Sequence, residues 1–248
     1  MFDRRIILIA ERFWRLAGNS EPFPRSLEIP TAWALPLAVV KLPDLQLGEI
    51  NRWLRQRMIL VDLRTPNRAV KACLIARAGC GVIFLDGRDT ADEQRFSLAH
   101  EVAHFLIDYV EPRQTALSCL GKSIKDAIDG LRPPSSEERL SGILQGVHIG
   151  TFCNLLQRSA EGLIDSSIAL SSEDDADQLA LQLLAPDLCV VKQAEKSGVH
   201  WREDMAFDLC ARILVKEFGL PYDIAMRYSN MLVLSRRQAK SFHEWLGV

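Results

Sequence analysis

Residues 95–109 read RFSLAHEVAHFLIDY. His100 and His104 stand four apart, and Glu101 follows the first directly. Just upstream, Asp89, Thr90 and Glu93 announce a helix start, with Thr90-x-x-Glu93 spaced as a capping box. The stretch predicts a helix from about residue 90 to Tyr109, closed by Pro112. On a helix, positions i and i+4 lie one above the other, so both imidazoles can reach a single ion at about 2.0–2.1 Å. Glu101 sits about 100° further round and can lean toward the ion's open position, where a water would sit. This is the HExxH arrangement of metal-assisted hydrolysis. The plainer alternative is two half-exposed histidines on an amphipathic helix. A chance HExxH should arise in roughly one such chain in a hundred. The flanks weigh the same way: Leu98, Ala99, Val102, Ala103, Phe105, Leu106 and Ile107 wrap the helix in apolar residues. Histidines and a glutamate buried there need partners, and an ion supplies one.

Working outward, VKACLIARAGCGVIFLDG (70–87) changes period and predicts a hairpin, with strands at 70–77 and 81–86 and a turn at Ala78–Gly79. Residues 3–17 place Ile6, Ile7, Ala10, Phe13, Trp14 and Ala17 on one helical face. A second helix is predicted over 45–58 through Leu47, Ile50, Trp53 and Leu54. Residues 113–170 read as two or three short helices, one started by a capping box at Ser135-x-x-Glu138. SSEDDADQLALQLLAP (171–186) is an acid-led helix with an apolar face and a proline stop. Residues 187–248 read as further helices broken at Gly219–Leu220–Pro221. The expected division is an N-terminal helical region (1–60), a core (61–186) with a helical insertion at about 113–170, and a C-terminal helical region (187–248) resembling a helix-turn-helix.

The net charge of −2 hides an asymmetry. The first 80 residues carry 13 Lys+Arg against 7 Asp+Glu, and the rest carry 17 against 25. Two solvated surfaces of different sign account for this, and no dense basic stripe of a nucleic-acid binder is present. The longest apolar candidate, TAWALPLAVV (31–40), is short and holds a proline, so no membrane span is expected. MFDRRIILIAERF has too short an apolar run for a signal peptide. The six cysteines (73, 80, 119, 153, 189, 210) form no CxxC pair and read as buried, reduced residues of a cytoplasmic protein.

A catalytic zinc needs a third protein ligand. A glycine at position 107 and a histidine at position 110 would extend the motif, but the chain has Ile107 and Val110 there. Asp108, Glu111, Glu137, Glu138, Glu161 and Glu173 remain as carboxylate candidates. Asp108 shares the histidines' helix and is poorly placed to complete a tetrahedron. Glu173 opens another helix with Asp177 one turn on, a spacing that would let Glu173 bind the ion while Asp177 fixes a histidine tautomer. An acid favoured by the helix dipole is the bland reading of Glu173.

RFSLAHEVAH followed by EDDADQLALQLLAP resembles the ImmA/IrrE metallopeptidases of bacteria and phages, which show runs like RFTLAHELGH and ExxANxFAxxLLMP. Glu173, Ala176, Asp177, Ala180, Leu183, Leu184 and Pro186 fall on the second block, while Leu179 and Ala185 stand where the family usually has Phe and Met. GVIFLD (81–86) and FGLPYDIAMRYSNML (218–232) look like the family's too. The 68 residues between His104 and Glu173 exceed the short members' spacing, and the chain ends too early for the sensor-like domain of the radiation-response members.

The resemblance implies an α+β, mostly helical, zincin-like fold, with a small antiparallel sheet packed on the HExxH helix. It implies one Zn2+ per chain on His100, His104 and Glu173, with Asp177 behind and Glu101 as general base. Candidate oxyanion donors are His148, His200, Tyr222 and Tyr228. The implied activity is site-specific cleavage of an XRE-type helix-turn-helix repressor, which derepresses a stress or mobile-element response. The alternatives are a metal-containing regulatory protein that sequesters such a partner and a DNA-binding regulator built on the C-terminal helices; the local acidity argues against direct DNA binding.

Overall fold

A computed structural model describes residues 2–18, 22–59, 61, 63, 65–144, 146–157 and 167–245. Helix α1 (Arg4–Leu16) opens the chain, capped by Asp3, whose carboxylate accepts from the Arg5 N–H. There follow α2 (Glu28–Ala34), β1 (Leu37–Leu42), α3 (Leu47–Gln56) and the strands β2 (Val70–Arg77) and β3 (Cys80–Asp86). After α4 (Ala91–His104) come α5 (Glu111–Leu120), α6 (Lys125–Ile128), α7 (Ser136–Leu144) and β4 (Phe152–Gln157). The chain closes with α8 (Ser167–Leu184), α9 (Asp187–Lys196), α10 (Ala206–Phe218) and α11 (Tyr222–Trp245).

The four strands form one sheet in the order β1-β3-β2-β4. β2 pairs antiparallel with β3 and β4, as the hairpin predicts, but β1 runs parallel to β3, with Leu37 opposite Gly81. The sheet is therefore mixed rather than wholly antiparallel. A further correction concerns 113–170, read as helices alone: β4 lies inside that segment. Nothing in FCNLLQ (152–157) announces a strand more strongly than a short helix. Its state comes from β2, whose Ala76, Ile75 and Leu74 pair with Phe152, Cys153 and Asn154.

The hairpin turn falls at Ala78 and Gly79, with φ of 53° and 86°. Both central residues of a type I′ turn need positive φ, which matches the right-handed twist of the flanking strands. The Gly79 N–H donates to the Tyr109 hydroxyl at 2.7 Å and so ties the hairpin to the end of the HExxH helix.

Both capping boxes form. The Glu93 carboxylate accepts from the Thr90 N–H (3.1 Å), and the Glu138 carboxylate accepts from the Ser135 N–H (2.7 Å) while Ser135 Oγ accepts from the Glu138 N–H (3.2 Å). Pro112 does not end the helix. The chain widens to a π-helical stretch over Phe105–Val110, and Pro112 enters the first turn of α5, where its missing N–H sacrifices no bond.

The main core draws side chains from Phe2 to Val233 and packs α4 between the sheet and α8. Every residue of α4 from Phe96 to His104 is buried. Gly219 ends α10 in the left-handed conformation (φ 65°), and its carbonyl accepts from Arg95 of α4 at 2.6 Å. All six cysteines are free, but only Cys73 and Cys210 are buried; Cys80, Cys119 and Cys153 are exposed, against the expectation of buried thiols. Among the described residues, no helix is long and apolar enough to cross a membrane.

Candidate metal centre

The histidines project from the last turn of α4. Their rings meet edge to face, with Nε2 of His104 3.0 Å from Nε2 of His100. Both rings are 2% exposed. Helix α8 lies alongside and brings Glu173 to the pair. Its Oε2 is 3.3 Å from Nε2 of His100, and its Oε1 is 3.6 Å from Nε2 of His104. One ligand atom from each of the three residues falls within 4.8 Å of the others.

Each ring is held from behind. Nδ1–H of His100 donates to Oδ1 of Asp177 at 3.0 Å, and Nδ1–H of His104 donates to Oδ2 of Asp108 at 2.6 Å. Ser172 in turn donates to the same Asp108 oxygen at 2.8 Å. With both Nδ1 positions spent as donors, both Nε2 atoms turn lone pairs toward one another and toward the Glu173 carboxylate. Three electron-rich atoms converging on one point require a cation there, a proton or a metal ion. This donor set of two imidazoles and a carboxylate, each imidazole backed by a carboxylate, fits a divalent metal.

The electrostatics agree. Burial works against charge on His100, but the carboxylates of Asp177 and Glu173 outweigh it and raise its pKa to about 10 in the metal-free chain. His104 is raised likewise, with burial opposed by Asp108 and Glu173. The histidines hold Glu173 far below the usual carboxylate range. Glu101 goes the other way: it is fully buried, and burial pushes its pKa up against the pull of the two histidines. Its Oε2 accepts from Asn154 Nδ2 of β4 at 3.3 Å, while Oε1 is buried without a partner.

The remaining acids fall elsewhere. Glu111 pairs with Arg5 (2.8 Å) and Glu138 with Arg132 (2.5 Å); Glu137 lies on exposed α7, and Glu161 lies outside the described residues. Of the oxyanion candidates, Tyr228 donates its hydroxyl to the Ala185 carbonyl (2.9 Å) in the core. His148 packs edge-on against Phe152, and His200 and Tyr222 are exposed. Three residues near the cluster take roles that the sequence does not assign. Asp108 reads there as a rival ligand, although its i+4 spacing from His104 marks it equally as that histidine's partner. Asn154 is hidden with its strand. Arg227 of α11 reaches to 3.6 Å from Asp177 Oδ2, and no local pattern signals it.

A helix-borne HExxH whose histidines meet a carboxylate from a second helix is a donor arrangement that could hold a metal ion. The family model described as Peptidase M78, the IrrE N-terminal-like domain, matches residues 64–122, in agreement with the ImmA/IrrE resemblance. The match takes in the hairpin, α4 and the HExxH motif, while Glu173 and Asp177 lie outside the matched stretch. No curated protein and no solved structure matches the chain.

Proposed function

We propose that this protein is a zinc-dependent endopeptidase, with one zinc per chain held by His100, His104 and Glu173. The observation that carries the reading is the pairing behind the rings. Asp177 and Asp108 fix both histidines as Nδ1–H tautomers and leave both Nε2 atoms free to bind. The ligand set suits zinc. Bound there, zinc would supply Lewis-acid polarisation of a scissile carbonyl and lower the pKa of an attacking water. Glu101 takes the proton of that water on its unpartnered Oε1 and delivers it to the leaving amide nitrogen. A carboxylate with a raised pKa suits both halves of that transfer, and Asn154 keeps its other oxygen in place. Strand β4, at the sheet's edge, offers backbone groups against which an extended peptide can pair.

The substrate is a protein cut at few bonds, an XRE-type helix-turn-helix repressor by family resemblance, whose loss derepresses a stress or mobile-element response. The deciding experiment measures zinc content and repressor cleavage for the wild type, Glu173→Ala and Glu101→Gln. The expected result is about one zinc per wild-type chain and far less in Glu173→Ala. Glu101→Gln should keep its zinc and lose cleavage by at least about a hundredfold. Full zinc in Glu173→Ala would overturn the ligand assignment. Derepression that survives Glu101→Gln would replace proteolysis with sequestration of the repressor.

A further inference from the structure

Two of the six free cysteines stand together, and the metal centre uses neither. Cys73 lies on β2 and Cys153 on β4. The antiparallel register sets Cys153 opposite Ile75 and Cys73 opposite Leu155, so both thiols project from one face of the sheet as diagonal neighbours. That face is the one covered by α3, and Cys73 is fully buried there with Ile50, Leu54 and Phe84. Cys153, on the edge strand, is open to solvent. The Cys73 S–H donates to the Cys153 sulfur, while the Cys153 S–H turns to the Asn154 carbonyl (4.0 Å).

The two thiols differ in reactivity. Donation from Cys73 pulls the Cys153 pKa down, against burial and the nearby charge of Glu101. The same bond, together with burial, pushes Cys73 well up. The exposed sulfur therefore carries more thiolate character, and the thiolate is the form that attacks an oxidant. The buried one keeps its proton and is shielded until its neighbour has reacted. Asn154, the next residue of β4, faces the opposite way and donates to Glu101 at 3.3 Å. Strand β4 thus carries the exposed thiol on one face and the neighbour of Glu101 on the other.

We propose that Cys73 and Cys153 are a modification site for hydrogen peroxide, which closes a reversible disulfide between β2 and the edge strand β4. In the first step the Cys153 sulfur attacks a peroxide oxygen. The S–O bond forms, the O–O bond breaks, and the released hydroxide takes the thiol proton and leaves as water. Cys153 is oxidised by two electrons to the sulfenic acid and the peroxide is reduced. The Cys73 sulfur then attacks the Cys153 sulfur. The S–S bond forms, the S–O bond breaks, and the Cys73 proton leaves with the hydroxide as a second water. Closure ties residue 73 to residue 153 across a long loop and fixes β4, whose one strand partner is β2. The inference stands independently of the peptidase reading; where that reading holds, the same staple holds Asn154 beside Glu101.

The test exposes the full chain, at low protein concentration, to a slight excess of hydrogen peroxide. Thiols are counted by alkylation in denaturant, and linked peptides are mapped by mass spectrometry. Of the six thiols, two should be lost, one peptide pair should be joined through Cys73 and Cys153, and dithiothreitol should restore both. The joined chain should unfold at a higher urea midpoint than the reduced chain. Cys73→Ala should stop at the Cys153 sulfenic acid, trapped with dimedone, and Cys153→Ser should leave Cys73 a free thiol. If Cys73→Ala does not fold, Cys153→Ser and the peptide map decide. Disulfides that involve only Cys80 or Cys119, oxidation of Cys153 without a link to Cys73, or an unchanged urea midpoint in the linked chain would each overturn the proposal.

Discussion

Nδ1 of His100 and Oδ1 of Asp177 stand 3.0 Å apart although 77 residues separate them in the chain. One turn before Asp177 on α8, Glu173 reaches Nε2 of the same ring at 3.3 Å. Two carboxylates at i and i+4 thus clasp one imidazole at both nitrogens, mirroring the i, i+4 histidines of α4. The residue pattern of each helix is complete only against the other.

Asp177→Ala removes the partner of His100 Nδ1–H but none of the three atoms proposed to bind the metal. Zinc affinity should fall by roughly 10–100-fold, read by competition with a chromophoric chelator. The circular dichroism spectrum of the variant should match the wild type. Unchanged affinity would show that Asp177 does not orient the ring.

In the metal-free protein the raised pKa of His100 couples stability to pH. Burial opposes its charge, yet Asp177 and Glu173 carry the pKa from 6.5 to about 10. The resulting stabilisation is fully present below pH 6.5 and is lost as pH rises through about 10. Denaturant unfolding of the chelator-treated chain should therefore show declining stability across that window. A metal ion must displace the same proton, so apparent zinc affinity should climb about tenfold per pH unit for each proton displaced. An affinity flat in pH over this range would mean the rings carry no proton to lose.

Gly219 sits at φ 65°, and a Cβ there would meet Pro24 Cβ at 2.9 Å and Arg95 Nη1 at 2.5 Å. The arginine tip can swing aside, but the proline ring cannot. Gly219→Ala should destabilise the fold by more than about 1 kcal/mol, measured by urea unfolding, because strain and the lost Arg95 bond act together.

Ala78 is the reverse case, a residue with a side chain held at φ 53° in the hairpin turn. Asparagine tolerates this region, and Asn-Gly is the pair that type I′ turns favour. Ala78→Asn should raise stability by about 0.5–1 kcal/mol, seen as a higher urea midpoint with an unchanged slope.

Much of the fold is legible in the chain because its signals are local. The Thr90/Glu93 box, the apolar surround of His100 and His104, the Ala78–Gly79 turn and the stop at Gly219–Pro221 all depend on residues within about five positions of one another. Glu173 is harder to place. Spacing leaves six carboxylates open, and family resemblance rather than physics singles it out.

By itself, then, the sequence determined where the capping boxes start their helices, where the hairpin turns, and that one buried helix carries two histidines and a glutamate in HExxH order. Tertiary structure alone decided the rest. It made FCNLLQ a strand by giving β2 a second neighbour, set Asn154 beside Glu101, and brought Asp177 and Glu173 to His100. The reason is range. A cap or a turn is settled by atoms already joined in sequence, whereas an edge strand or an orienting carboxylate is defined by what packs against it.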